Sequence, residues 1–359
     1  MQPISARLRR ISRRSAALAA ATVAGLALAA CGSSGSSSSN STGTGSSASP
    51  SSGGSGKTLS IAYLSFAVEN SYDAPMLAAA QAVASDNHAT MKVFDANNSP
   101  QTQYAQLQDV ISSGQYDGII LQPIFGTGLT GLVKQAISKG IKVVNMDQIL
   151  GPNLSTDAPQ VAGLSANVTL VPTEIGTKLG MLVVQACQAK NLNPCKVGYL
   201  YDIKASALDV AIYGAFSKAI ATDPGVKIVA QGQSFFSPTT GLTAVQNMLT
   251  ANPGLNLIVG SDQGIEGGAQ AVQAAHRTGQ VILVGYGASA AALAGVASGA
   301  WYADVAQAPA SEGRLAVQAL VAALRTGKSS GGIDPVAQLP DGGVVTKANV
   351  SQFTAEWPG

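Results

Sequence analysis

Residues 104–148 and 242–287 read as two copies of one unit, and that repetition limits the fold more than any other feature of the chain. The first copy opens on a helical period with apolar residues at Tyr104, Leu107, Val110 and Ile111; the second opens on Leu242, Val245, Met248 and Leu249 at the same spacing. Gln108-Asp109 lies over Gln246-Asn247. After one inserted residue, Gly118-Ile119-Ile120-Leu121-Gln122 lies over Leu257-Ile258-Val259-Gly260-Ser261, Gly140 over Gly279, and Met146-Asp147-Gln148 over Gly285-Tyr286-Gly287. A helical period followed by a short continuous apolar run is the signature of a helix feeding a buried strand.

The same alternation fills the rest of the body. Strands are expected at 59–64, 91–94, 118–121, 142–146, 197–200, 227–230, 255–259, 281–284 and 302–306. Helices are expected at 75–84, 102–111, 129–138, 173–189, 205–221, 242–249, 265–277, 290–297 and 312–324. Strands that are apolar throughout belong to parallel sheets covered on both faces. The chain is therefore α/β, with two similar open parallel-sheet lobes whose strand ends face a common crevice.

The N-terminus is a processing signal. Arg7, Arg9, Arg10, Arg13 and Arg14 precede an apolar run that ends Leu28-Ala29-Ala30-Cys31-Gly32. A basic segment, a short apolar stretch and small residues make an export signal. Small residues before a cysteine resemble the bacterial lipobox, so 1–30 reads as a lipoprotein signal peptide and Cys31 as the lipidated residue; ordinary cleavage leaving a free Cys31 thiol is the alternative. Residues 31–56 are the lipidated cysteine and a Ser/Gly-rich tether, too polar to offset chain entropy by burial. Without the first 30 residues the 21 basic residues fall to 16 against 19 acidic, a net −3. That balance offers no electrostatic footprint for nucleic acid and no polybasic membrane patch.

Cys187 and Cys195 bracket a short turn between a helix and a strand, without the cysteine and histidine cluster of a zinc site. In an oxidising compartment a Cys187–Cys195 disulfide is expected, with two buried thiols as the alternative.

From about Leu59 to about Val345 the chain resembles a sugar-type, ribose-binding-like substrate-binding lipoprotein of an ABC importer, in the type I periplasmic-binding-protein family. The resemblance is carried by Glu69-Asn70-Ser71-Tyr72, by Tyr116-Asp117-Gly118-Ile119-Ile120-Leu121-Gln122-Pro123, and by Gly140-Ile141-Lys142-Val143-Val144 leading to Asp147. Val284-Gly285-Tyr286 and Val305-Ala306-Gln307-Ala308-Pro309 followed by Gly313 complete it. It implies three crossovers between the lobes, near 164–167, 307–309 and 330–334. The N-terminal lobe is then 57–164 plus 308–332, and the C-terminal lobe 165–307 plus 333–359.

A neutral polyol needs paired donors and acceptors together with aromatic faces. The expected ligand-binding residues are Asn70, Tyr72, Gln122, Asp147 and Gln148 from the N-terminal lobe, Phe236, Asp262 and Tyr286 from the other, and Gln307 at a crossover. The resemblance implies that Asn70, Asp147, Asp262 and Gln307 hydrogen-bond hydroxyls, and that Tyr72, Phe236 and Tyr286 sandwich the ring. Structural roles compete: Asn70 as a turn residue, Asp147 and Asp262 as helix caps, Phe236 and Tyr286 as core. Asp147 is expected to be ionised, held so by helix N-termini and backbone N–H groups. Where pentose binders of the family carry two arginines and an aspartate, this chain has Gln148, Ile212 and Gly287, so ribose itself is not the expected ligand.

The implied function is capture of a small neutral, sugar-like solute and its delivery to the transmembrane subunits of an ABC permease. The protein is expected to be a monomer, held outside the cell membrane by its lipid, with no cofactor, metal or nucleic acid. A receptor presenting its closed form to a sensor kinase is the alternative. An extracytoplasmic enzyme fits least: His88 and His276 have no nucleophile beside them in the sequence pattern, and Gly264-Ile265-Glu266-Gly267-Gly268 lacks the lysine of a phosphate loop.

Overall fold

The computed structural model describes residues 58–359; the expected signal peptide, lipidated Cys31 and tether lie outside the described residues. The chain first alternates β1 (Leu59–Ser65), α1 (Asp73–Asp86), β2 (Ala89–Asp95), α2 (Pro100–Ser113), β3 (Gly118–Leu121), α3 (Gly126–Ser138), β4 (Lys142–Asp147) and β5 (Ala166–Thr169). It continues with α4 (Pro172–Ala189), β6 (Cys195–Tyr201), α5 (Ala207–Ile220), β7 (Val226–Gln233), α6 (Pro238–Ala251), β8 (Leu257–Val259) and α7 (Asp262–Ala274). Then follow β9 (Ile282–Gly287), α8 (Ala290–Ser298), β10 (Ala303–Ala306), α9 (Pro309–Thr326), β11 (Gly331–Ile333) and β12 (Val344–Thr346).

These strands make two sheets of the same topology, ordered β11-β5-β4-β3-β1-β2 and β12-β10-β9-β8-β6-β7. Neighbours pair in parallel throughout, except that β12 runs antiparallel to β10. The sequence copies 104–148 and 242–287 fall on α2 to β4 and α6 to β9, the same places in the two sheets. Every residue of β3 and β8 is buried, as expected of central strands covered on both faces. The edge strands β2 and β7 instead alternate, with Lys92 and Lys227 outward. In each sheet the strand order reverses between the first and third strands, at β1/β3 and β6/β8, which opens a crevice at their C-terminal ends.

The lobes exchange their last helices. α9 packs on α1, β3, β4 and β5, while α4 packs on α5, β9 and β10. Both begin with proline, whose missing N–H costs nothing in the first turn. Both carry glycine at the fifth position. A Cβ on Gly176 would lie 2.1 Å from the Ile212 carbonyl oxygen of α5, and one on Gly313 would lie 2.0 Å from the Met76 carbonyl oxygen of α1. The glycines let these helices pack backbone to backbone.

The first crossover comes later than the sequence suggests. β5 pairs with β4 and β11, so the N-terminal sheet runs through Thr169 rather than ending at 164. Ala166-Asn167-Val168-Thr169 has no apolar run to announce it. Its polar side chains are buried because they bond one another and their neighbours: Asn145 Nδ2 donates to Asn167 Oδ1 at 2.7 Å, and Asn167 Nδ2 donates to Thr169 Oγ1 at 3.0 Å. The chain leaves the C-terminal sheet after β10 at Ala306 and the N-terminal sheet again after β11. A disulfide joins Cys187 at the end of α4 to Cys195 at the start of β6, Cα to Cα 5.8 Å.

Candidate functional site

The cavity between the lobes takes its walls from loops that leave the C-terminal ends of the strands. After β1, Asn70 Oδ1 accepts from the Tyr72 N–H at 2.8 Å, a turn that sets Tyr72 and Asp73 at the entrance to α1. Gln122 follows β3. Asp147 ends β4 with φ 65, a left-handed backbone that turns the chain into Gln148. From the other lobe, Phe235 and Phe236 both have φ 53. Phe66, Asn70, Tyr72, Asp73, Gln122, Asp147, Gln148, Leu208, Phe236, Ser261, Gln263, Tyr286, Gln307 and Trp357 line a cavity with about 60 Å³ of space for the centres of water-sized molecules. A single water needs about 10–15 Å³ by that measure, so several waters or a small polyol fit.

Eight of the nine residues expected from sequence line this cavity; Asp262 does not. Its carboxyl is fully buried inside the C-terminal lobe, where it accepts from the Ser289 N–H at 2.7 Å. Asp304 faces it; burial, and then the charge of Asp262, push Asp304 well above the carboxylate range. The capping of α7 falls to Ser261, which accepts from the Gly264 N–H, and the next side chain into the cavity is Gln263. Ile212 and Gly287, which stand where polar groups were anticipated, are also structural. Ile212 is fully buried core. A Cβ on Gly287 would meet Asp262 Oδ2 and Trp357 Cζ2, each at 2.6 Å, so no aspartate fits there.

Gln122 is committed to the protein. Its Oε1 accepts from the Phe66 N–H at 3.0 Å, and its Nε2 donates to Asp73 Oδ1 at 2.6 Å and to Asp147 Oδ2 at 3.1 Å. It positions two carboxyls rather than offering a free amide. No backbone N–H donates to Asp147 among the described residues. Burial therefore raises the group to about 6, opposed only by the Gln122 bond. Burial, and then Asp147, push Asp73 well up. Behind the wall, Tyr72 Oη donates to Glu312 Oε1 at 2.9 Å, and Glu312 is raised by burial and by Asp147. In the opposite lobe Tyr286 Oη donates to Asp202 Oδ2 at 2.6 Å, so the ring of Tyr286 is held against the cavity by a second buried carboxyl. Ser261 Oγ also donates to Asp202, at 2.6 Å.

The lobes touch across the cavity. Gln263 Nε2 donates to Asn70 Oδ1 at 3.2 Å and to Ser71 Oγ at 3.0 Å. Phe66 and Phe236 meet edge to face with centroids 6.5 Å apart. The last residues of the chain add a strap. Glu356 accepts from the Ser311 N–H of α9 at 2.7 Å, on the N-terminal lobe. Trp357 and Pro358 carbonyls accept from Ala290 and Ala291 of α8, on the C-terminal lobe. Asp73, Gln263 and Trp357 were not among the residues expected. Asp73 and Gln263 stand one position beyond expected residues, a signal that was present; Trp357 reaches the cavity only through the tertiary path of the strap.

Residues 61–329 match the family described as periplasmic binding protein domain. The chain belongs to that family. Among similar proteins, the D-allose-binding periplasmic protein of Escherichia coli (strain K12) is 28% identical over 250 residues, covering 69% of this chain and 77% of that protein. The ribose import binding protein of Bacillus subtilis (strain 168) is 25% identical, covering 63% of this chain and 69% of that protein. Among solved structures, a galactofuranose binding protein superposes with a TM-score of 0.71 at 19% identity, covering 82% of this chain and 96% of its own. The Caulobacter myo-inositol binding protein bound to myo-inositol does so at 0.70 and 19%, covering 83% and 97%. For the structures the likeness establishes the two-lobed fold.

Proposed function

We propose that this protein is the extracytoplasmic solute-binding component of an ABC importer, closing its lobes on a small sugar-like solute and handing it to a permease. The observation that carries the reading is a cavity lined from both lobes, bridged by Gln263 to Asn70 and Ser71 and walled by aromatic rings with polar groups between them. A ligand that touches both lobes at once favours the closed state. The family is one of binding proteins, and the relatives' names, D-allose-binding and ribose import, favour the importer over the sensor-kinase receptor.

Cys31 as the lipid anchor belongs to the same reading, supported by the Leu28-Ala29-Ala30-Cys31 sequence. Cys31→Ser is expected to release the protein from the membrane fraction; retention of the variant rejects the anchor. The binding role is tested by thermal shift with D-allose, D-ribose, D-galactose, myo-inositol and their amine derivatives. A ligand at 100 times its Kd stabilises by about 2.7 kcal/mol. No response from any of these compounds rejects the sugar-like solute.

A further inference from the structure

The cavity has acids and no base. Asp73 and Asp147 line it, while no lysine, arginine or histidine does among the described residues. Asp73 is only 6% exposed, yet one of its carboxyl oxygens has no protein donor; the same is true of one oxygen of Asp147. Glu312, fully buried behind Tyr72, also keeps its Oε2 unpartnered. Three carboxyls therefore share two uncharged donor groups, the Gln122 amide and the Tyr72 hydroxyl. Buried carboxylates are ordinarily paired with a cation.

Among the described residues no group of three or more histidine, cysteine or acidic residues suited to a metal ion occurs. An organic cation fits better. The rings of Phe66, Tyr72, Phe236, Tyr286 and Trp357 line the same cavity, and aromatic faces attract an ammonium group. One nitrogen, Gln122 Nε2, already lies within hydrogen-bond reach of both Asp73 and Asp147, at 2.6 and 3.1 Å. Their carboxyls are thus close enough for a single nitrogen to serve both.

We propose that the solute is an amine-bearing polyol, an amino sugar or aminocyclitol, whose ammonium group bonds the unpartnered oxygens of Asp73 and Asp147. The proposal rests on the cavity being the solute site, as above, and narrows the sugar-like class to its aminated members. It has a pH signature. Asp147 titrates among Asp73, Glu312, Tyr63 and Tyr72, all acids or phenols, and is raised to about 6 by burial. A cation holds it ionised, so amine affinity falls as pH drops from 7.5 to 5.

Isothermal titration calorimetry of the purified protein tests this with matched pairs: D-glucosamine against D-glucose, D-galactosamine against D-galactose, and scyllo-inosamine against scyllo-inositol. At least one amine is expected to bind tenfold or more tightly than its hydroxyl parent at pH 7.5, with the advantage shrinking at pH 5. The N-acetyl derivative, which has the nitrogen without the charge, is expected to lose that advantage. Asp147→Asn and Asp73→Asn, each checked for an unchanged circular dichroism spectrum, are expected to erase it too. If the parents bind as well as the amines, or N-acetylation costs nothing, the amine proposal fails and the sugar-binding function stands. If neither member of any pair binds, both fail.

Discussion

The indole of Trp357 meets the ring of Tyr72 edge to face, with centroids 5.3 Å apart at 79°. Its N–H donates to the Gly287 carbonyl at 2.7 Å. A residue two positions before Gly359 thus touches the residue that leads into α1 of one lobe and a site strand, β9, of the other. Trp357→Ala is expected to destabilise by about 3–5 kcal/mol, the usual cost of removing a buried large aromatic. Trp357→Phe, which keeps most of the ring and leaves the Gly287 carbonyl its second donor, the Gln307 N–H at 3.3 Å, is expected to cost about 0.5–1.5 kcal/mol for the lost bond. Urea denaturation monitored by circular dichroism measures both.

Gln263 tests closure separately from folding. Its side chain makes two hydrogen bonds across the cavity and is itself 3% exposed. At about 0.5–1.5 kcal/mol net for each bond, Gln263→Ala is expected to weaken solute affinity by about 5- to 150-fold, chiefly through faster dissociation. Stopped-flow fluorescence of release gives the rate.

Stability of the empty protein is expected to rise as pH falls from 7.5 to 5. Burial raises Asp147 to about 6, and burial with Asp209 raises Asp202 to about 6. Both stand above the unfolded value of about 3.9. Between those values the folded state binds more protons than the unfolded, so the stabilisation is full below about 4 and is lost as pH rises through 6. Asp147→Asn removes one of these groups and is expected to flatten the dependence. Thermal denaturation in a pH series reads the slope.

Gly313→Ala places a methyl 2.0 Å from the Met76 carbonyl oxygen, which is backbone and cannot swing aside. The helices α1 and α9 must separate, at about 1–3 kcal/mol or somewhat more. Gly131→Ala, where a Cβ would meet nothing within 4 Å, is the control and is expected to leave stability unchanged or slightly raised. Differential scanning calorimetry compares the two.

The sequence by itself determined the two α/β lobes, because helical and strand periods survive in any context that buries their apolar faces. Residues 104–148 and 242–287 repeat those periods closely enough to show equivalent places in two sheets. It also brought eight cavity residues within sight, since strand C-terminal ends are where such folds present side chains. Tertiary structure decided the rest. Ala166-Asn167-Val168-Thr169 is a strand only because neighbouring asparagine and threonine side chains satisfy one another when buried. Asp262 and Gln263 are adjacent in the chain, yet the turn into α7 sends one into the lobe core and the other across the cavity. Trp357 has no local pattern that marks it; its place depends on Glu356 holding α9 and on the carbonyls of Trp357 and Pro358 accepting from α8. Local propensity acts over one turn or one strand, whereas charge pairing, helix contact and the path of a strap depend on residues hundreds of positions apart.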